Sequence, residues 1–273
     1  MNMAKLRYVL DTAAAPDADK SAEFPANVSG FRAIYETEPE IHAALLPRPL
    51  VPCERPEIFA QFSRVQLFLS ESRTVEIGAA TIGVSCYYGE KPGFYVLAMA
   101  MEDPFVVMSG REIYGEPKKV ATTRFELDEN DYLRASVCRH DVDFLEMRGS
   151  LGASLGPRQP VEHMFCIKAM PGIRRDGGFD GEVLLTELEW RRKFTDVREV
   201  NDPEIILRES KFDPLIDVPV KKIKEMLYTE GGTINSGKIL RAIPGEWYAP
   251  FMNQRYDDPV SHPLELSLAS GGQ

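Results

Sequence analysis

The feature that most constrains the fold is a series of short segments rich in β-branched and aromatic residues, which runs from about Phe62 to Phe194. Such segments are typical of β-strands. They are RVQLFLSES, ATIGVSCYY, FYVLAMAM, TTRFELD, LRASVCRHD, MFCIKAMP and VLLTELEWRR. Turn-forming runs separate several of them, as in GEKPG, DEND and RRDGGFDG. Because no helical pattern separates most of them, the series predicts a mainly antiparallel sheet or barrel rather than alternating βαβ units.

Two helices are predicted beside these strands. The segment ETEPEIHAALLPRPL predicts a short helix that Thr37 caps and Pro47 stops. The segment DVPVKKIKEMLYTEGG predicts a second helix that ends at Gly231–Gly232. Its apolar residues share one helical face: Val220, Ile223, Met226 and Leu227.

The chain contains no repeat and no clear linker, so a single domain is predicted over residues 26–256. Residues 1–25 are small, polar and interrupted by proline, which predicts a flexible N-terminal arm. Residues 257–273 contain turn-forming residues and few apolar ones, which predicts a C-terminal tail.

Charge and cysteine content exclude several classes of function. The formal net charge of −10 argues against nucleic acid or an anionic membrane as a partner, because both require a basic surface. No apolar run approaches the roughly 18–20 residues that span a bilayer. The four cysteines are far apart and no signal peptide is recognised, so we expect reduced thiols in a cytoplasmic protein.

Three familiar catalytic or binding patterns receive no support. The segment GTINSGK resembles the start of a phosphate-binding loop, but Ile239 stands where that loop requires Ser or Thr, and a helix-ending turn is the better interpretation. The four histidines show no metal-ligand spacing, so no metal is expected. No G-x-S-x-G elbow is present.

The remaining candidate is the lysine pair in GREIYGEPKKVA, residues 110–121. A lysine is a nucleophile only after it loses its proton, which is rare at neutral pH for a reference pKa of about 10.4. Burial in an apolar pocket or a neighbouring positive charge can favour the neutral amine. If the segment is a strand, Lys118 and Lys119 point to opposite faces, so burial must supply most of the effect. The alternative is that both lysines are solvated surface charges.

This segment resembles the signature of the acetoacetate decarboxylase superfamily, which has a G-R-E-[IL]-x-x-x-P-K-K core. Further segments resemble the family in the same order along the chain, from about Phe31 to Lys224. They are AIYETEPEIHAALLPRPL, GFYVLAMAMEDPFVVMSGRE and FDPLIDVPVKKI.

The resemblance implies a β-barrel-like core with flanking helices, a homo-oligomer, a small keto-acid substrate and no cofactor. It implies that Lys118 forms a Schiff base with a substrate ketone and that Lys119 is its neighbour. Arg111 and Glu112 would support the site, with Arg111 able to hold a carboxylate. With one gap, Glu76 aligns with an acidic residue of the family's pocket.

Two departures from the family pattern concern the pocket. Decarboxylases of the family carry an arginine in the strand before the first helix; here Val28 stands at that spacing, and Arg32 is out of register. An aromatic residue usually precedes the reactive lysine by two positions, and here it is Glu116. In a strand, Glu116 would share a face with Lys118 and could act as a general acid or base. Equally, it could turn outward and pair with a surface arginine.

Three functions therefore remain open. The first is decarboxylation of a β-keto acid through a Lys118 imine. The second is aldolase-dehydratase or hydratase action on a 2-oxo acid such as pyruvate through the same lysine, a chemistry that Glu116 would suit. The third is a barrel that binds a small ligand without turnover. Tyr248 is a candidate proton donor in the segment GEWYAPFMNQRY, with core packing as the alternative.

Overall fold

The computed structural model describes residues 6–9, 11, 24–70, 73–173 and 178–268. Most of the predicted arm at residues 1–25 and the end of the predicted tail lie outside these ranges. Within them the chain is mainly β. The strands are β1 (Phe24–Glu36), β2 (Val51–Pro52), β3 (Glu57–Ser70), β4 (Arg73–Tyr88), β5 (Lys91–Met101), β6 (Lys118–Val120), β7 (Thr122–Leu127), β8 (Tyr132–Arg139), β9 (Val142–Ser154), β10 (Val161–Lys168), β11 (Val183–Leu207) and β12 (Lys222–Ile243).

Helical segments are short and lie at the edges of the sheet. The α-helices of the described residues are α1 (Pro39–Ala44) and α2 (Pro104–Tyr114). Single 3₁₀ segments cover Leu215–Asp217, Gly245–Trp247 and Ala249–Arg255. The predicted class, a β-barrel-like antiparallel core with a few flanking helices, is confirmed.

Strand pairing closes part of the sheet into a barrel. The order around it is β1, β3, β4, β5, β10, β11 and β12, and β12 pairs again with β1. All neighbours are antiparallel except β5 and β10, whose parallel pairing joins Phe94 to Met164 and Tyr95 to Phe165. Strands β9, β8 and β7 continue from the second half of β11 and form a further layer. The main core lies between this layer and the outer face of the barrel, where Phe125 stacks on Phe62.

The predicted helix over DVPVKKIKEMLYTEGG is wrong, because this segment starts strand β12. Residues 226–229 are all buried since the strand is covered on both faces. Leu227 packs with Val28 in one cluster, whereas Met226 and Tyr228 belong to the main core. A strand buried on both faces has consecutive apolar residues, and their spacing imitates a helical stripe. The segment GTINSGK is likewise part of β12 and not a helix-ending turn.

The sequence interpretation also misplaced one cap and missed one helix. Helix α1 begins after Glu38, and the Thr37 hydroxyl is buried without a hydrogen-bond partner, so Thr37 is not its cap. Helix α2 was not among the predicted helices. It starts where the Asp103 side chain accepts a hydrogen bond from the Val106 amide, and it ends at Gly115, whose φ of 77° only glycine adopts readily.

All four cysteines are free, although only Cys86 and Cys166 are fully buried. Among the described residues, no helix is both long and apolar enough to cross a membrane.

Candidate active site

The Lys118 side chain lies inside the barrel. Strand β6 begins at Lys118 and pairs with β5 in parallel, with Lys118 beside Met99. Only 7% of Lys118 is exposed, and its side chain lines a cavity of about 150 Å³. The predicted burial of one lysine of the pair is therefore found at the position that the family motif indicates.

Glu116 lies in the same cavity and contacts the lysine directly. Its Oε2 atom lies 2.7 Å from Lys118 Nζ, and only 5% of the residue is exposed. The question left open by the sequence is thereby answered, because Glu116 faces Lys118 and does not turn outward. A proton can pass between them over a single hydrogen bond.

Gly110 of helix α2 makes room for this pair. A Cβ atom at position 110 would lie 2.1 Å from Glu116 Oε2 and 2.5 Å from Lys118 Nζ. Both distances are below any real van der Waals contact, so the carboxylate and the amine occupy space that any side chain at position 110 would fill. The first residue of the family motif is thus a glycine for a steric reason.

Arg111 supports the site from outside the cavity. Its Nη1 atom donates to the backbone carbonyl of Lys118 at 3.0 Å and to that of Arg255 at 2.7 Å. Its guanidinium lies 5.1 Å from the centre of the Tyr256 ring. The expectation that Arg111 holds a substrate carboxylate is not supported, since Arg111 does not line the cavity and its Nη1 atom already binds two backbone oxygens. Glu112, the next motif residue, is exposed.

Lys119 points away from the cavity, as strand alternation predicts. Its Nζ atom donates to the Phe212 carbonyl at 2.7 Å and lies 3.2 Å from Asp213 and 3.4 Å from Asp257. Arg139 binds the same two carboxylates, so two cations and two carboxylates balance one another. Lys119 thereby fixes β6 to the segment around Asp213.

The walls of the cavity are mostly apolar. Strands β1, β3, β4, β5, β11 and β12 contribute side chains on one face, and helix α2 covers them. The apolar lining residues include Val28, Val65, Ile77, Met99, Val106 and Leu188. Tyr114 of α2 also lines the cavity, and burial together with the nearby Glu116 charge raises the pKa of its hydroxyl. The tyrosine that the fold brings to Lys118 is thus Tyr114.

Two other predicted site residues lie elsewhere. Glu76 is exposed on β4 and accepts a hydrogen bond from Gln66 at 3.0 Å. Its neighbour Ile77 lines the cavity, because alternate residues of a strand point to opposite faces. Tyr248 is buried outside the cavity, where its ring stacks on Phe179, and burial raises its pKa to about 12. Core packing, the alternative left open for Tyr248, is its observed role.

Sequence reasoning missed the polar end of the cavity, which is built around Arg192 of β11. Arg192 is 5% exposed and lines the cavity. Its Nε donates to Glu162 of β10 at 3.0 Å, and Arg32 of β1 binds the same carboxylate. Gln61 accepts from Arg192 Nη2 at 3.3 Å. The only sequence signal was a charged WRR run at the end of a predicted strand, which is ordinary for a surface.

The pKa values of Glu162 and Arg192 depend on their burial and on the charges next to them. Burial alone would raise the pKa of Glu162, but hydrogen bonds and charge from Arg32 and Arg192 outweigh burial and hold that pKa below its usual value. Burial lowers the pKa of Arg192, opposed by the Glu162 carboxylate.

One further cluster has ligand atoms close enough for a metal: His163, Glu187 and Glu189. However, Lys91 Nζ lies 2.8 Å from the Glu187 carboxylate and Lys238 Nζ lies 3.4 Å from it. The two lysines balance the charge of Glu187 within this cluster.

A comparison with protein families identifies the family to which the chain belongs. The family model described as acetoacetate decarboxylase (ADC) matches residues 12–243. The chain belongs to the acetoacetate decarboxylase family. This membership indicates a lyase and leaves the exact reaction open.

Relatives within the family are distant. An acetoacetate decarboxylase of Burkholderia vietnamiensis is 25% identical over 205 residues, which cover 70% of this chain and 76% of that protein. An acetoacetate decarboxylase of Ralstonia nicotianae is 32% identical over 103 residues, which cover 38% of this chain and 40% of that protein. The second match therefore spans less than half the length of its relative.

Solved structures share the fold at low sequence identity. Acetoacetate decarboxylase from Legionella pneumophila superposes with a TM-score of 0.67 at 18% identity, covering 85% of this chain and 94% of that one. The enduracididine biosynthesis enzyme MppR complexed with pyruvate superposes with a TM-score of 0.69 at 13% identity, covering 88% and 99%. The fold is thus common to proteins with different named functions.

Proposed function

We propose that this protein is a Schiff-base lyase that acts on a small 2-oxo acid through Lys118, with Glu116 as the group that carries protons. The observation that carries the proposal is the 2.7 Å contact between Glu116 Oε2 and Lys118 Nζ inside a mostly apolar cavity. A carboxylate fixed beside the amine is also beside the carbon atoms next to an imine, where a lyase must remove and return protons.

The chemistry follows from that arrangement. Glu116 accepts the proton of the Lys118 ammonium, and the free amine attacks the ketone carbon of the substrate. The carbinolamine loses its hydroxyl as water with a proton from Glu116, leaving an iminium. The Glu116 carboxylate then removes a proton from the carbon next to the iminium, and the electron pair of that C–H bond forms an enamine.

The enamine determines which lyase reactions are accessible. It attacks an aldehyde carbonyl and forms a carbon–carbon bond, and the aldehyde oxygen takes a proton. Glu116 supplies that proton and, again a carboxylate, removes a second proton from the carbon that attacked the aldehyde, which forms an enamine once more. The enamine expels the hydroxyl as water with the proton now on Glu116, and an unsaturated iminium results. Water then hydrolyses the iminium and releases the amine. Hydration of an unsaturated oxo acid is the reverse of the dehydration step.

Decarboxylation of a β-keto acid is the second candidate, and family membership favours it. The same iminium would accept the electron pair of the bond to the departing CO₂. This reaction would use Glu116 to form the iminium and to protonate the carbon that lost CO₂, but it does not need Glu116 to remove a proton from that carbon.

The deciding experiment is a paired assay of one preparation. Product formation from pyruvate plus an aromatic aldehyde, followed by ultraviolet absorbance, is expected, with little CO₂ released from acetoacetate. Borohydride added with pyruvate should attach a covalent adduct to Lys118. Activity with acetoacetate alone would favour the decarboxylase. No adduct with any oxo acid would indicate a barrel that binds a ligand without turnover.

A further inference from the structure

The polar end of the cavity is a compact cluster of three charged residues from three strands. Arg192 Nε lies 3.0 Å from Glu162 Oε2, and Arg32 Nη1 lies 3.1 Å from the same oxygen. The side chains of Arg192 and Glu162 are 3% and 8% exposed, and that of Arg32 is 16% exposed. The cluster is therefore largely removed from solvent.

The charges in this cluster do not balance. Two guanidinium groups share the single carboxylate of Glu162, which leaves one positive charge. In the part of the chain that the structure describes, no second carboxylate pairs with Arg32 or Arg192. The rings of Phe59 and Trp190 lie 5.2 Å from Arg32 and 4.4 Å from Arg192, and such faces attract a cation without neutralising it. A buried unpaired charge is costly unless an anion joins it.

The unbalanced charge faces the space that holds the reactive amine. Arg192 and Lys118 line the same cavity, whereas Arg32 does not line it. The Arg192 guanidinium uses Nε for Glu162 and Nη2 for Gln61. Among the described residues none accepts a hydrogen bond from its Nη1 atom. Gln61 is itself fixed by a 2.7 Å hydrogen bond to Ser63, which holds the guanidinium in one orientation.

We propose that Arg192 is the anchor for the carboxylate of the substrate, an inference that rests on the proposed function. Anchored there, an oxo acid extends across the cavity toward Lys118. A carboxylate held by a guanidinium is stabilised before reaction and is poorly placed to leave as CO₂. The anchor therefore selects oxo acids whose carboxylate survives the reaction.

The test compares an oxo acid with its uncharged analogue. Borohydride trapping at Lys118 is measured against the concentration of pyruvate or of pyruvamide, whose amide lacks the charge. The wild-type protein should reach half-maximal trapping at a lower concentration of pyruvate. In Arg192→Gln that concentration should rise about 10- to 100-fold for pyruvate, the value of a charge-assisted hydrogen bond, and change less than about twofold for pyruvamide.

Two further variants serve as controls for the comparison of pyruvate with pyruvamide. Lys193→Gln removes the same charge from the adjacent, exposed position of β11 and should leave both ligands unaffected. Arg192→Lys keeps the charge without the planar fork and should give an intermediate loss for pyruvate.

A measurement on the wild-type protein keeps the inference testable if Arg192→Gln does not fold. Propionate, a carboxylate without a ketone, should compete with pyruvate for trapping, and propionamide should not. Equal trapping of pyruvate and pyruvamide, or equal competition by the two propionyl compounds, would overturn the anchor and leave the imine intact. Absence of trapping with either ketone would overturn the proposed function together with the anchor.

Discussion

Glu116 and Lys118 stand two residues apart on either side of Pro117, and their side chains meet at 2.7 Å within the barrel. This contact turns an isolated buried amine into half of a proton-exchanging pair. The same geometry makes the pair dependent on the surface of helix α2 that covers it, because Gly110 provides the space.

Replacing Lys118 by arginine should abolish imine formation while preserving the buried ion pair. Arginine keeps the positive charge beside Glu116 but cannot lose its proton to become a nucleophile. Trapping by borohydride and turnover should both fall to background, with little change in melting temperature. The matched control is Lys119→Arg, which retains the contacts to Asp213 and Asp257 and should trap oxo acid within about threefold of wild type. An adduct that survives in Lys118→Arg would identify a different nucleophile.

Replacing Gly110 by alanine should damage the site more than the fold. The added methyl group meets the ends of two flexible side chains, which can move, and alanine itself favours a helix by roughly 0.5–1 kcal/mol. Displacing the amine by about 1 Å can reduce kcat/KM by roughly 10²-fold. Thermal unfolding should therefore be near that of wild type while activity is lost. Glu112→Ala, on the exposed side of the same helix, serves as the comparison, and full activity in Gly110→Ala would show that the pair tolerates displacement.

Replacing Glu116 by glutamine should slow the proton-transfer steps by about 10²- to 10⁴-fold. Glutamine keeps the size and the hydrogen bond but cannot accept a proton. Single-turnover kinetics should show slow imine formation. Glu76→Gln should leave kinetics unchanged, since Glu76 is exposed on the other face of β4. Equal losses in the two variants would argue for an effect of net charge and against a local role of Glu116.

Replacing Glu162 by glutamine should lower the free energy of unfolding by about 3–5 kcal/mol, because two buried guanidinium groups lose their shared carboxylate. The exposed pair between Glu204 and Arg148, 2.7 Å apart, provides the contrast, and Glu204→Gln should cost less than about 1 kcal/mol. Denaturant titrations measure both values. Similar losses would contradict the charge balance described for Arg192.

The stability contributed by Glu162 should also depend on pH in a defined direction. Because the pKa of Glu162 is lowered in the folded state from its reference value of 4.5, its contribution is present above that value. The contribution disappears as pH falls through the lower folded-state pKa. The difference in stability between wild type and Glu162→Gln should therefore shrink below about pH 4.5. A difference that stays constant to lower pH would contradict the shift.

The sequence was sufficient to predict the fold class, but it left the orientation of Glu116 open. Segments rich in β-branched residues indicated the sheet, whereas the spacing of Glu116 and Lys118 made a shared face only one of two equal alternatives. Helix α2 could also have been predicted, since Asp103, Pro104 and Gly115 are strong cap signals. They were overlooked because the apolar strand before them merged with the apolar side of the helix.

Other features depend on contacts that no local pattern reveals. Arg192 is buried against Glu162 of the neighbouring strand β10 and Arg32 of β1. Contacts between residues so far apart in the sequence cannot be read from the WRR run alone. Glu76 was placed one residue away from the cavity-facing position, an error that reverses the direction of a side chain in a strand. Homo-oligomeric assembly and a cytoplasmic location stay predictions.

One edge of strand β5 is used by two partners in succession. Phe94 and Tyr95 pair with β10 and close the barrel, while Met99–Met101 pair with β6 and position Lys118. The strand that closes the barrel and the strand that positions Lys118 are thus separate stretches of the chain. Substitutions in the three-residue strand β6 can therefore change the chemistry of the site in related proteins while the barrel stays the same.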